Sequence, residues 1–316
     1  IPQLLWDSAT KGVKAVHLFT AGFSELGDDP GKQLEAEITS IACQTGIRAI
    51  GPNCMGLYCP KTGLSFATDF SPRSGDVGYM AQSGGHSIYG VVEANTRGIY
   101  FSKVISFGNA ADLNESDFLE YLTEDPETKI IAIYIEGVKE PNRFLHALKY
   151  AASLKPVIVY KGGTTPTGAR TVSSHTGAIA GSATTWSSLI KQAGAVEVHS
   201  VTELVDMLVL FQYLSPPAGN NVAIIGLGGG ASVQAADDCI NAGLAVPLLS
   251  AATFQKVKGS FTEAGKIFKN PLDVFAHGSS QFIQDVIRMV ARSNQIHILL
   301  PHIAFDLYPM PQAIEV

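Results

Sequence analysis

The sequence holds little that suits a nucleic-acid surface, a membrane segment or a metal site. Lysine and arginine number 22 against 28 aspartates and glutamates, and no basic cluster offsets the formal net charge of −6. This balance argues against nucleic-acid binding. No apolar run approaches the length of a membrane span. The 4 cysteines show neither CxxC nor zinc-ligand spacing, so no metal site is predicted.

Secretion signals and repeats are also missing. The opening Ile1-Pro2-Gln3-Leu4 does not have the pattern of a signal peptide, and no fixed-period repeat is found. A cytoplasmic location with reduced thiols is the simplest expectation. The alternative to three reduced thiols is one disulfide among Cys43, Cys54 and Cys59, which are close enough in sequence to form it.

Short β-branched runs alternate with helical patterns along the 316 residues. The hydrophobic share of 46% supports large cores, and the 31 glycines indicate many tight turns. Such alternation predicts an α/β fold with parallel sheets and crossover helices. Strands are expected over 13–18, 77–81, 103–106, 130–135, 157–160, 222–226 and 296–300, and helices over 31–45, 84–96, 115–124, 142–154, 184–193, 201–213, 231–242 and 280–293.

Two segments rich in proline and glycine, 70–75 and 214–220, predict domain boundaries. We therefore expect domains at 1–72, 73–216 and 217–316. The first contains too few strands to close a sheet alone, and 301–311 looks loop-like soon after the last predicted strand. We accordingly expect the third domain to be incomplete and the chain to be part of a longer polypeptide.

His175 lies in segment 173–181, a run of hydroxyl-bearing and small residues. Because nothing there is bulky enough to pack in a core, we predict a mobile loop that exposes the histidine. Imidazole is a good nucleophile near neutral pH, and small neighbours would let a phosphoryl group approach it. The alternative is an ordinary loop histidine with no special role.

The stretch Ala81-Gln82-Ser83-Gly84-Gly85 follows a predicted strand and opens a predicted helix. Free amides at a helix start favour an anion, and glycines let a phosphate approach the backbone closely. The alternative is a plain connecting turn, and we see no role for His86 beyond its adjacency. The turn 106–112, with Asn109 and Asp112, ends the next strand and would reach the same sheet edge. Asp112 could equally start a helix.

Glu136 directly follows the apolar strand 130–135. A carboxylate at a strand end can orient a catalytic histidine, fix its tautomer and stabilise its charged form. A surface glutamate without a partner is the alternative.

The glycine-rich turn 226–231 fits the dinucleotide fingerprint G-x-G-x-x-A. That fingerprint needs an acidic residue about 20 positions on, whereas the chain reads Ala245-Val246-Pro247-Leu248-Leu249-Ser250. We therefore expect no NAD site here, but an anion at this helix start.

In chain order, several segments resemble the NDP-forming acyl-CoA synthetases, the ADP- or GDP-forming relatives of succinyl-CoA synthetase. They are Gly51-Pro52-Asn53-Cys54, Ser83-Gly84-Gly85, 106–112, 173–181 and Asn270-Pro271-Leu272-Asp273. The resemblance spans nearly the whole chain. It implies the end of a Rossmann-like CoA-binding domain followed by two flavodoxin-like domains. The Asn270-Pro271 turn is expected to be structural. Leu227 stands where many members have asparagine, which leaves the acyl substrate open.

The resemblance implies His175 as the phosphorylated residue of an α-subunit-like chain and Glu136 as the residue that orients it. It also implies three sets of binding residues: for phosphate Ser83, Gly84, Gly85, Asn109 and Asp112; for CoA Thr20, Gly22, Phe23, Asn53 and Cys54; and for the acyl substrate Gly228, Gly229 and Gly230.

Such a chain would help interconvert acyl-CoA, ADP and phosphate with acid, CoA and ATP. ATP or ADP, with Mg²⁺, would bind an ATP-grasp domain or β subunit, because nothing in the sequence resembles that module. We expect an oligomer that uses neither NAD nor flavin. One alternative is an acyl-CoA- or nucleotide-sensing regulatory domain of an acetyltransferase fusion, in which the histidine is commonly lost. Another is a flavodoxin-like FMN binder, which no motif supports.

Overall fold

The computed structural model describes residues 1–176, 182–226, 229–259, 269–273 and 280–302. The chain forms two compact units, Ile1–Leu214 and Ser215–Val316. No helix in these described ranges is long and apolar enough to cross a membrane.

The first unit opens with a small α/β layer. Helix α1 (Pro2–Thr10) precedes strand β1 (Ala15–His17), helix α2 (Asp29–Thr45) and strand β2 (Arg48–Ile50), and the two strands pair in parallel. The Asp28 carboxylate accepts a hydrogen bond from the Gly31 amide at 2.8 Å, which begins α2. The layer buries Leu5, Phe23, Ile38 and Ile41.

A six-stranded sheet forms the rest of the first unit, in the order β3-β5-β4-β6-β7-β8. Its strands are β3 (Gly56–Tyr58), β4 (Val77–Ala81), β5 (Phe101–Ser106), β6 (Ile130–Ile135), β7 (Val157–Lys161) and β8 (Val196–Val198). Only β3 runs antiparallel to its neighbour; the other pairings are parallel. The carboxyl ends of β4 to β7 therefore meet at one edge.

Helices cover both faces of this sheet. They are α3 (Gly84–Thr96) and α8 (Val201–Tyr213) on one face, and α4 (Glu115–Glu124), α5 (Pro141–Leu154) and α7 (Ala183–Ala193) on the other. Helix α6 (Pro166–Thr176) follows β7 in the chain. The side chains of β6 alternate between two cores because successive strand residues point to opposite faces. Odd-numbered residues join a core with Phe118, Phe144 and Trp186, and even-numbered residues join one with Val91 and Leu204.

The second unit contains a three-stranded parallel sheet in the order β10-β9-β11. Its elements are β9 (Val222–Gly226), α9 (Gly229–Asn241), α10 (Ala251–Gly259), β10 (Leu272–Asp273), α11 (Ser280–Ala291) and β11 (Ile298–His302). The buried Asn270 side chain accepts from the Ile224 amide at 2.9 Å and donates to the Val222 and Pro247 carbonyls. This confirms the structural role predicted for the Asn270-Pro271 turn.

The predicted α/β fold is confirmed, and two local predictions change. Helix α6 replaces the expected loop up to Thr176, because the Thr165 hydroxyl accepts from the Gly168 amide at 3.0 Å and Pro166 suits the first helical position. The strand Gly56–Tyr58 lies before the predicted boundary at residue 72 but pairs with β5. The division of the chain into three domains stays a prediction.

Ile133 in β6 is fully buried, so Ile133→Ala should lower the free energy of unfolding by about 2–5 kcal/mol. Leu154→Ala is the control, because Leu154 is 57% exposed at the end of α5 and should change stability by less than about 0.5 kcal/mol. Urea denaturation followed by circular dichroism compares the two, and equal losses would contradict the packing described.

Candidate functional site

A cleft of about 380 Å³ opens in the first unit at the carboxyl edge of the six-stranded sheet. The register aligns Ala81 of β4 with Ser106 of β5 and with Tyr134 of β6, which brings the following turns together. The lining residues are Phe19, Asn53, Cys54, Met55, Gln82, Ser83, Gly84, Gly85, Gly108, Asn109 and Glu136.

The Ser83–Gly85 turn begins α3 on one side of the cleft. The Ser83 hydroxyl accepts from the His86 amide at 3.4 Å, and helix geometry leaves the Gly84 and Gly85 amides without an intrahelical acceptor. A Cβ on Gly84 would lie 2.3 Å from Met55 Cγ, whereas one on Gly85 would meet only Ser83 Oγ, at 3.8 Å. Gly85 therefore offers an open, donor-rich surface suited to an anion.

Gly108 packs directly against the turn that follows β2. Its φ is 54°, and a Cβ would lie 2.1 Å from the Pro52 carbonyl oxygen. The Asn109 amide donates to that same oxygen at 3.0 Å. The predicted CoA turn and the predicted phosphate turn are therefore in backbone contact, which only glycine permits at this position.

The buried Asn109 side chain links these turns to the opening layer. Its Nδ2 donates to Glu25 at 2.6 Å and to Glu35 at 2.8 Å, and its Oδ1 accepts from Asn53 at 3.3 Å. Burial disfavours the Glu25 carboxylate, but the hydrogen bonds from Asn109 and from the Gly22 and Phe23 amides prevail and lower its pKa. Asn109 therefore holds the cleft wall, because both of its amide protons are already engaged.

Asp112 does not line the cleft, contrary to the predicted phosphate contact. Its carboxylate lies 3.0 Å from Arg48 Nε and accepts from the Ala49 amide at 2.7 Å. A carboxylate committed to an ion pair with β2 is a structural tie. Asn114, not Asp112, caps α4.

The predicted CoA residues divide into two groups. Asn53 and Cys54 line the cleft, whereas the Phe23 side chain is fully buried in the opening layer. The Gly22 and Phe23 amides donate to Glu25, and the Thr20 carbonyl accepts from the Asn53 amide at 2.9 Å. Thr20, Gly22 and Phe23 therefore support the turn rather than line the cleft.

The Cys54 thiol lies 3.2 Å from His17 Nε2. Burial raises the pKa of Cys54 to about 12, and burial also lowers the pKa of His17. The pair is therefore neutral near pH 7, and Cys54 is a wall of the cleft rather than a nucleophile.

Glu136 lines the cleft at the end of β6. The Tyr134 hydroxyl donates to Glu136 Oε1 at 3.0 Å. Gln82 Oε1 accepts from the Glu136 amide at 2.8 Å and from the Gly137 amide at 3.1 Å. His86 stacks on Tyr134 with ring centroids 3.8 Å apart, and burial lowers the pKa of His86.

The backbone of His175 is helical, in the last turn of α6. Its side chain, residues 177–181 and Gly228 lie outside the described residues, so the predicted contact between His175 and Glu136 stays a prediction. Gly229 and Gly230 begin α9 in the second unit.

Sequence reasoning did not assign Phe19, Met55, Gln82 or Gly108 to the site, although all four line the cleft. Gln82 and Gly108 lie inside the motifs that were recognised, so their positions after β4 and β5 could have suggested them. Phe19 is 53% exposed, and nothing in its local sequence indicates its role.

Comparison with known proteins finds similar sequences and a similar fold. Residues 74–211 match the profile of the succinyl-CoA ligase like flavodoxin domain. The chain is 36% identical over 305 residues to acetate–CoA ligase (ADP-forming) I of Archaeoglobus fulgidus, covering 95% of this chain and 43% of that protein. It is 35% identical over 300 residues to the α subunit of acetate–CoA ligase (ADP-forming) II of Pyrococcus furiosus, covering 95% of this chain and 65% of that subunit.

Among solved structures, the chain matches acetyl-coenzyme A synthetase 1 of Ca. Korarchaeum cryptofilum, determined in complex with phosphate and ADP. The TM-score is 0.85 at 30% sequence identity, covering 95% of this chain and 64% of that one.

Residues 74–211 therefore form a succinyl-CoA ligase-like flavodoxin domain, which agrees with the mainly parallel six-stranded sheet found there. Over 95% of its length, the chain as a whole is similar to ADP-forming acetate–CoA ligases, one of them an α subunit. It spans from 43% to 65% of the length of the two relatives described.

Gly108→Ala should destabilise the first unit and displace the facing turn, because the new Cβ would overlap the Pro52 carbonyl. Gly63→Ala is a matched control: its φ of 73° is also left-handed, but a Cβ there meets nothing within 4 Å. The control should lose about 1–2 kcal/mol from the backbone conformation alone, and Gly108→Ala clearly more. Equal losses in urea denaturation would show that the contact between the turns is not tight.

Proposed function

We propose that this chain is the α-type component of an ADP- or GDP-forming acyl-CoA synthetase, interconverting acyl-CoA, NDP and phosphate with acid, CoA and NTP. The observation that carries the proposal is the single cleft shared by the Ser83–Gly85 helix start, the Asn53–Met55 turn and Glu136. An anion subsite, a turn suited to CoA and a carboxylate are the parts such a reaction needs in one place.

In the proposed mechanism, phosphate binds at the start of α3. The Gly84 and Gly85 amides and the Ser83 hydroxyl donate to its oxygens, and the helix dipole adds a favourable field. A phosphate oxygen attacks the thioester carbonyl of acyl-CoA, the C–S bond breaks, and the CoA thiolate leaves. The product is an acyl phosphate. The fixed amides are well suited to stabilise the charge on the transferring group.

An imidazole nitrogen of His175 then attacks the phosphorus of the acyl phosphate. The P–O bond to the acyl group breaks, the carboxylate leaves, and phosphohistidine remains. Glu136 orients the imidazole and stabilises its positive charge during the transfer. The same steps run in reverse when ATP drives acyl-CoA formation.

The CoA side of the cleft is assigned to Asn53 and Cys54, with Phe19 as an exposed apolar surface for the ligand. Thr20, Gly22 and Phe23 act by holding the Asn53 turn. Gly228, Gly229 and Gly230 are proposed to contact the acyl group.

The nucleotide and Mg²⁺ are proposed to bind an ATP-grasp domain or β subunit. Within the described ranges, no group of three or more His, Cys, Asp and Glu side chains is arranged to hold a metal ion. On the ATP-grasp domain or β subunit, Mg²⁺ would neutralise phosphate charge during transfer between phosphohistidine and the nucleotide. The relative from Pyrococcus furiosus is itself an α subunit, which supports a second subunit here. We further propose a cytoplasmic oligomer that uses neither NAD nor flavin.

Gly85→Val should weaken anion binding about 10- to 100-fold, the cost of losing a hydrogen bond to a charged group. A Cβ at position 85 would meet only Ser83 Oγ, at 3.8 Å, which is ordinary van der Waals contact. Gly85→Ala is the graded control: it should weaken binding less, while α3 keeps or gains stability. Calorimetric titration with sulfate measures the affinity. Unchanged affinity in both variants would place the anion elsewhere.

His175→Asn should abolish acid-labile phosphate incorporation and net turnover while leaving CoA binding intact, because the nucleophile alone is removed. His146→Asn is the control, since His146 is an exposed residue of α5 and should label normally. The measurement is incorporation from labelled ATP with the ATP-grasp module present. Label that persists in His175→Asn would refute the assignment.

A further inference from the structure

Lys161, the last residue of β7, is only 3% exposed. Burial of an ammonium group is costly unless hydrogen bonds or counter-charges compensate it. Burial lowers the pKa of Lys161, and attraction to Glu136 opposes that effect. Within the part of the chain that the structure describes, no carboxylate lies within ion-pair distance of Nζ. The compensation must therefore come largely from other groups.

Two backbone carbonyls supply it. Lys161 Nζ donates to the Glu136 carbonyl at 2.8 Å and to the Gly162 carbonyl. The ammonium also lies 5.2 Å from the centroid of the Trp186 ring, within range of a cation–π contact. The side chain thus joins the strand end that carries Glu136 to the segment that leads into α6.

Other contacts at this junction are equally close. The Gly162 amide donates to the Ile135 carbonyl at 2.9 Å. A Cβ on Gly162 would lie 2.6 Å from the Tyr134 hydroxyl and 3.4 Å from Glu136 Cγ. Gln82 holds the Glu136 amide from the opposite side. The backbone of Glu136 is therefore held on both sides, and Lys161 is the link toward the helix that contains His175.

We propose that Lys161 is a positioning residue for phosphoryl transfer: its ammonium holds the Glu136 turn and the Gly162 loop together, so that Glu136 is aligned with His175. The inference rests on the proposed function, because it assumes the phosphohistidine. Loss of the Lys161 hydrogen bonds should displace Glu136 without removing any group that touches the phosphate.

The test is single-turnover phosphorylation from labelled ATP, using the full-length protein or the chain with its ATP-grasp subunit. Lys161→Met should slow labelling about 10- to 100-fold, the effect of a misplacement of about 1 Å. Lys161→Arg, which keeps charge and donors, should recover part of the rate. In a Glu136→Gln background, Lys161→Met should cost less than about twofold more, because the two residues act as a unit.

Lys103→Met is the matched control. Lys103 is a largely buried lysine of β5. Its Nζ lies 2.8 Å from a carboxylate oxygen of Asp125 and 2.8 Å from one of Glu127, two residues that precede β6. Its loss should destabilise the protein but leave labelling unchanged. If Lys161→Met fails to fold by circular dichroism, Lys161→Gln takes its place in the same cycle.

The outcomes separate the two proposals. Absence of acid-labile phosphate in the wild-type protein would refute the proposed function. A labelled wild type with an equally fast Lys161 variant would refute only the role of Lys161. Lys161→Met could also slow labelling by the same factor in the wild-type protein and in the Glu136→Gln variant. That result would show a general structural effect and would also overturn the inference.

Discussion

The parallel pairing of β4 with β5 and β6 is the constraint on which the cleft depends. Parallel strands place their carboxyl ends at one edge, and the register makes Ala81, Ser106 and Tyr134 level. Three turns that are far apart in sequence then become the walls of one cleft. The two buried faces of β6 keep that register, because a one-residue slip would move each β6 side chain from one core to the other.

Polar side chains near the cleft are largely occupied in holding its walls. Asn109 binds two carboxylates, Asp112 binds Arg48, and Gln82 receives two backbone amides. The Gly84 and Gly85 amides, at the start of α3, have no acceptor within their helix. Such a division suits a site where an anion must be held by preorganised backbone while side chains keep the turns from moving.

The sequence predicted the long apolar strands and amphipathic helices well, since β4, β6, α3 and α8 follow periodicity with clear turn residues at their ends. It missed short elements such as β3 and β8, whose pairing partners are distant in the chain. It also misjudged α6, where small polar residues have weak propensity and the cap at Thr165 decides. Motifs located the turns of the site. They could not tell which polar residue faces a ligand, because Asn109 and Asp112 acquire their partners only in the folded chain.

The contact between Gly108 and the Pro52 carbonyl restricts which substitutions the two turns can accept during evolution. Neither turn can change shape alone, since a side chain at position 108 would require the backbone at 51–53 to retreat. Substitutions in the two segments should therefore be accepted in pairs, across a separation of more than fifty residues. Among homologous chains, the Gly51–Asn53 and Phe107–Asn109 segments would then vary together rather than independently.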